Sequence, residues 1–176
     1  MKTSLTYGFI MALGAALLSL GFFFAGYHDD PAKLESAQRI SMVLNTAIAI
    51  ITIVLGMREK RALTPADQNW GYGSALGTGL MVGLWGTLFS CIYSYAYFSF
   101  INPAINEMIY QAQVLKMEES GMSSAQIAQA EPMMRKWMSP AVMTLISFFV
   151  ILFFNAIISF IAAIFVKNRP APPAAA

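Results

Sequence analysis

Apolar residues along this chain gather into four long runs, Leu5–Gly26, Ile40–Met57, Gly73–Ile101 and Ala141–Val166, and no Asp, Glu, Lys, Arg or His interrupts any of them. A helix needs about 20 apolar residues to cross a bilayer core of roughly 30 Å, so each run predicts one transmembrane helix. At 1.5 Å per residue the first two would reach roughly 33 and 27 Å, the last two roughly 44 and 39 Å. The third and fourth therefore overshoot the hydrocarbon, and either tilt or project beyond it. The fold class read from this pattern is all-α: a polytopic membrane protein of four transmembrane helices, spans about 5–26, 40–57, 73–101 and 141–166, forming one domain over residues 1–168.

The polar intervals refine that picture. Between the third and fourth runs, Asn102–Pro140 is patterned: Ile105, Met108, Ile109, Ala112 and Leu115 recur at helical spacing, after Pro103, which suits a first helical turn. Gly121 is a natural stop, and Ser123 or Ser124 can cap a second helix carrying Ile127, Met134, Trp137 and Met138 on one face, with Pro132 limiting its regularity. The expectation is a helical hairpin over 103–139. Residues 169–176, RPAPPAAA, predict a disordered tail.

Charge orients the spans. Lys2, Arg58, Lys60, Arg61, Lys167 and Arg169 share one side with Glu59 and Asp67, a balance of +4. Lys33, Arg39, Lys116, Arg135 and Lys136 share the other with Asp29, Asp30, Glu35, Glu107, Glu118, Glu119 and Glu131, a balance of −2. Basic residues near helix ends stay cytoplasmic, so both termini are expected inside and the hairpin outside. Aromatics agree: Phe22, Phe23, Phe24 and Tyr27, and Tyr93, Tyr95, Tyr97, Phe98 and Phe100, close the outer ends, with Tyr7, Trp70 and Tyr72 at the inner ones.

Composition adds little beyond this. Charged residues make up 11% of the chain, against about 25% in a soluble domain, and the net charge of +2 gives no ground for nucleic acid as a partner. The first run is longer than a signal-peptide core, and Phe23 and Phe24 stand where cleavage wants small residues, so it is read as a retained helix. Cys91 is the lone cysteine, which rules out an intrachain disulfide.

Candidate chemistry is sparse. Gly73 and Gly77, and Gly79 and Gly83, are spaced four apart, with Ser74, Thr78 and Gly86 beside them, a pattern that lets helices approach closely within a chain or between copies. Asn45 and Asn155 are the strongly polar side chains within the runs, read as interhelical glue or as the lining of a path. Six of the twelve methionines, Met108, Met117, Met122, Met133, Met134 and Met138, lie in the outer loop. Thioethers bind Cu(I), but this spacing is that of amphipathic faces. His28-Asp29-Asp30 reads as a solvated loop and not a closed metal site. No hydrolase, P-loop or zinc motif is present, so no catalytic residue, cofactor or metal ligand is assigned and the chain is expected not to be an enzyme.

Tyr7-Gly8 and Gly14 match Tyr72-Gly73 and Gly79 at an offset of 65, a weak sign of duplicated hairpins. The stretch Asn69–Gly79 (NWGYGSALGTG), the acidic, Ala/Gln-rich loop with MEESGMSSAQIAQAEPMM, and a last helix ending in Lys-Asn-Arg together resemble bacterial membrane proteins of domain-of-unknown-function family 4199. The resemblance implies a four-helix, multi-pass protein of the bacterial inner (cytoplasmic) membrane. It implies no activity and carries over no functional residue.

The functional expectation is thus a non-enzymatic scaffold or accessory subunit. It sits in a lipid bilayer and meets a protein partner, or a second copy, through Met108, Ile109, Leu115, Ile127, Met134 and Trp137. The alternative is a small oligomeric transporter or channel without intramembrane charge coupling.

Overall fold

The computed structural model describes residues 1–28 and 31–168. Among these it holds six α-helices and no strand: α1 Lys2–Phe24, α2 Pro31–Ala62, α3 Tyr72–Ala96, α4 Ile105–Glu119, α5 Ser124–Trp137 and α6 Pro140–Val166. A π-helical turn, Tyr97–Ile101, extends α3. Four of the helices, α1, α2, α3 continued by its π turn, and α6, are long and apolar enough to cross a membrane. The expected tail 169–176 lies outside the described residues, as do Asp29 and Asp30.

These four pack as a bundle in which α3 is central, contacting α1, α2 and α6. The ends of α2 and α6 and the start of α3 meet where Arg61 and Trp70 reach the Val166 carbonyl. Their outward faces are apolar: Phe9, Leu17, Val43, Ile51, Phe149, Phe153 and Phe165 are all exposed. Such a surface suits hydrocarbon and not water.

Two separate cores hold the bundle. The larger joins Met11, Ala49, Ile53, Met57, Ala75, Val82, Ala162, Ala163 and Val166 toward the end where α1 begins and α6 ends. The smaller joins Leu34, Tyr97 and Ile105, with Leu20, Phe23, Met108 and Ile109 against it, at the opposite end. Between them, from Gln38 to Ala47, no residue of α2 is buried.

Helix α2 is longer than its apolar run. It is helical through Leu34 and Ala37, both buried, so much of the polar interval 27–39 is helix. Those two residues are three apart and share a face, and the Leu34 side of that face is covered by Tyr97 and Ile105. At the other end Lys60 and Arg61 occupy its last turn, where cations favour the helix dipole.

Helices α4 and α5 follow the patterned interval. Pro103 lies in the turn before α4 instead of inside it, because the Ile105 amide bonds the Asn102 carbonyl and the helix starts at Ile105. Gly121, at φ +83°, ends α4: the Gly121 amide reaches the Glu118 carbonyl and the Met122 amide reaches the Met117 carbonyl, a Schellman closure that favours glycine. Ser123 then caps α5, exchanging bonds with Gln126 in a capping box. Helix α5 runs through Pro132 without a break.

Candidate functional site

The small and polar residues of α3 and α6 form one seam. A Cβ placed at Gly83 would lie 2.8 Å from the Asn155 Cβ, and one at Gly79 would meet the Met57 methyl and lie 3.0 Å from the Ser159 hydroxyl. Bare backbone here lets α6 approach closely. Asn155, 3% exposed, donates from Nδ2 to the Gly83 carbonyl at 3.3 Å and to the Thr87 hydroxyl at 3.2 Å, with the Met11 sulfur at 3.8 Å. Thr87 donates to Gly83 O at 2.8 Å and Ser159 to Asn155 O at 2.7 Å. Each hydroxyl bonds its own helix four residues back, which satisfies it without water.

Gly73 and Gly77 are placed differently: nothing lies within 4 Å of a Cβ at either. They line a separate hollow at the termini end with Ser74, Lys60, Gln68 and Asn69. The four glycines thus divide into a packed pair and an open pair. The duplication-related positions also differ, since Gly8 abuts the Trp85 and Gly86 backbone while Gly73 abuts nothing.

Asn45 and Asn155 share no hydrogen bond among the described residues. Both line a cleft of about 330 Å³ between α1, α2, α3 and α6, together with Met11, Ser19, Thr46, Ser90 and Ser94. The Asn45 Oδ1 is buried and has no hydrogen-bond partner among the described residues. The cleft borders the unburied stretch of α2 and, through Met11 and Ala49, the larger core.

The α4–α5 segment sorts the remaining candidates into two groups. Met108 and Ile109 pack inward on the smaller core, Ile127 is buried and Met134 is half-buried. Leu115 is exposed, and so is Trp137, one turn from Met133, which is 68% exposed. Arg135 ties α5 to α4: it bonds Glu131 at 2.8 Å and Glu107 at 3.1 Å and lies 4.3 Å over the Tyr110 ring. The Arg135 hydrogen bond holds the Glu131 carboxyl below its ordinary range, and Glu131, then Glu107, raise the guanidinium. Lys116 reaches Glu35 of α2 at 3.6 Å, linking α4 to the extended end of α2.

Two polar arrangements escape the sequence pattern. In the π turn, Tyr97 is buried beside Phe23, Tyr93 and Phe98, and its hydroxyl meets His28 Nδ1 and the Asn102 amide. The four-residue step from Tyr93 to Tyr97 is the one signal of a shared face. At the other end, Arg61 bonds the Val166 and Asn168 carbonyls at 3.2 and 2.7 Å, and Trp70 Nε1 bonds Val166 O at 3.1 Å. Together these cap the otherwise bare C-terminus of α6. Among the described residues, no three His, Cys, Asp or Glu side chains gather into a metal-holding group.

These features define an all-helical protein with four candidate membrane-crossing helices and a two-helix segment between the third and the last. The chain belongs to the family described as Protein of unknown function (DUF4199), whose model matches residues 6–168, nearly all of it. No curated protein and no solved structure matches it.

Proposed function

We propose that the protein is a non-enzymatic scaffold or accessory subunit of a bacterial inner membrane, with both termini in the cytoplasm and α4–α5 outside. Its α4–α5 segment binds a partner protein. The observation that carries this reading is the exposed pair Met133 and Trp137, one turn apart on α5. Aromatic and methionine side chains are the types enriched where partners dock. The inward-facing Met108, Ile109 and Ile127 hold the segment together, leaving Met133, Trp137 and Leu115 to meet the partner.

The test is purification in mild detergent, with partner identification and mass measurement, of the wild type and of a Met133→Glu/Trp137→Glu variant. A specific partner lost from the variant is expected. Retention of the partner by a variant that elutes like wild type would overturn the reading. Ile109 is a poor choice for that test, since a charge there would disrupt the smaller core.

A second reading, a small oligomeric transporter or channel, draws on the cleft and its Asn45 and Asn155 lining. Flux of small polar solutes into proteoliposomes would favour it, and sealed proteoliposomes would count against it.

A further inference from the structure

We infer that the hollow beside Lys60 holds an anionic phospholipid, its phosphodiester at the Lys60 ammonium and an acyl chain along the bare backbone at Gly73 and Gly77. The hollow, of about 390 Å³, lies where the start of α1, the end of α2, the α2–α3 loop and the first turns of α3 converge. It changes character along its length. Lys60, Gln68 and Asn69 line it where the apolar runs stop, and Gly77 and Met81 line it within the third run. Met81 stands eight residues inside Gly73, roughly 12 Å along α3 at 1.5 Å per residue. A space that is charged at one end and apolar at the other over that depth straddles the boundary between headgroups and hydrocarbon.

Its lining can be reached by an occupant. Lys60, Asn69 and Ser74 are exposed. Nothing lies within 4 Å of a Cβ at Gly73 or Gly77, so the α3 backbone there forms an open floor and not a helix contact.

Charge selects the occupant. Among the described residues, Lys60 is the one charged side chain that lines the hollow, and it belongs to none of their ion pairs. Its neighbour Arg61 is engaged by the Val166 and Asn168 carbonyls. A phosphodiester supplies the countercharge that Lys60 lacks. A zwitterionic lipid would bring an ammonium as well, and no carboxylate lines the hollow to receive it. A glycerol headgroup brings hydroxyls instead, which suit the Asn69 amide and the Ser74 hydroxyl. Free phosphate would answer Lys60 but leave the floor beside Gly77 and Met81 empty, whereas a lipid covers both ends.

This inference rests on membrane insertion and does not depend on partner binding by α4–α5. The test uses the full-length protein in phosphatidylcholine nanodiscs. The probe is a phosphatidylglycerol with a diazirine on one acyl chain, the control is the phosphatidylethanolamine with the same chains, and the photolabel is mapped by peptide. The glycerol lipid should label α3 between Gly73 and Met81. It should exceed the ethanolamine lipid there by about fivefold, the factor that one lysine near a lipid surface is worth. Unlabelled phosphatidylglycerol should displace it, and an excess of inorganic phosphate should not. Lys60→Gln should bring the two lipids level. Gly77→Leu, which fills the open floor, should lower labelling by both. Equal labelling of the wild type by the two lipids, a preference that survives Lys60→Gln, labelling spread evenly over all lipid-facing helices, or displacement by inorganic phosphate would overturn it. Failure to reconstitute into nanodiscs would instead overturn membrane insertion itself.

Discussion

Asn155 sits so close to Gly83 that a Cβ on the glycine would come within 2.8 Å of its own Cβ, while its amide donates to the Gly83 carbonyl at 3.3 Å. The bond requires the missing side chain. Any residue larger than glycine at 83 would push α6 outward and lengthen the hydrogen bond that α6 makes there.

That relationship ranks the glycines. Gly8→Ala should be the most damaging, since its Cβ would meet backbone atoms of Trp85 and Gly86, which cannot move aside. Gly83→Ala should follow, at about 1–3 kcal/mol, the usual penalty of overpacking. Gly79→Ala should be milder, because the nearest atom is the flexible end of Met57. Gly77→Ala should be within about 0.5 kcal/mol of wild type. Thermal unfolding of the four variants in one detergent checks the order; a Gly77→Ala loss equal to that of Gly83→Ala would contradict it.

Arg61→Met should free the end of α6. Losing two charge-assisted bonds to the Val166 and Asn168 carbonyls should cost about 1 kcal/mol. It should also speed amide exchange in the last turn of α6 with little change in the first. Both bonds leave one nitrogen, Nη1, so Arg61→Lys, whose ammonium carries three donors, should restore much of the protection.

Acid should loosen the α4–α5 tie. Glu131 titrates below its ordinary value because Arg135 holds the charged form. The carboxylate form, and the stability it contributes, is therefore fully present above the unfolded-chain value of about 4.3. It is lost as pH falls below about 4. Amide protection across Ser124–Trp137, taken relative to the intrinsic exchange rate at each pH, should fall over that range, and Glu131→Gln should show the lower protection already at neutral pH and with less pH dependence.

Orientation is open to direct labelling. In a Cys91→Ser background, a cysteine at Ser120 should react with a membrane-impermeant maleimide in intact spheroplasts, and one at Asp67 only after lysis. The reverse pattern would invert the proposed topology.

Much of this architecture is legible in the residues, for a simple reason. A run without ionisable groups needs no tertiary information to be recognised as a candidate span, and Gly121 and Ser123 act through their own neighbours. What the pattern could not give depends on contacts distant in sequence. Leu34 and Ala37 look like loop residues until Tyr97 and Ile105, far along the chain, supply the surface that buries Leu34. Gly73 and Gly79 look equivalent until α6 and Met57 settle on one and not the other. Ile109 and Met133 are both apolar positions on helices outside the runs, yet Ile109 packs on the smaller core and Met133 is exposed. The Arg61 and Trp70 cap reads in sequence as a basic turn and an interfacial aromatic, because its acceptor, Val166, is supplied by the last helix.

The unburied stretch Gln38–Ala47, held between two cores, reverses the ordinary profile of a helix. Helices usually fray from their tips, whereas α2 is pinned at both tips and slack at its waist. Its middle is left to contacts from outside the bundle, so the surroundings of the protein, and not its core, pack that stretch. Met42, Val43 and Leu44 are exposed there, so within a bilayer lipid chains would supply the contacts that the bundle withholds from the middle of α2.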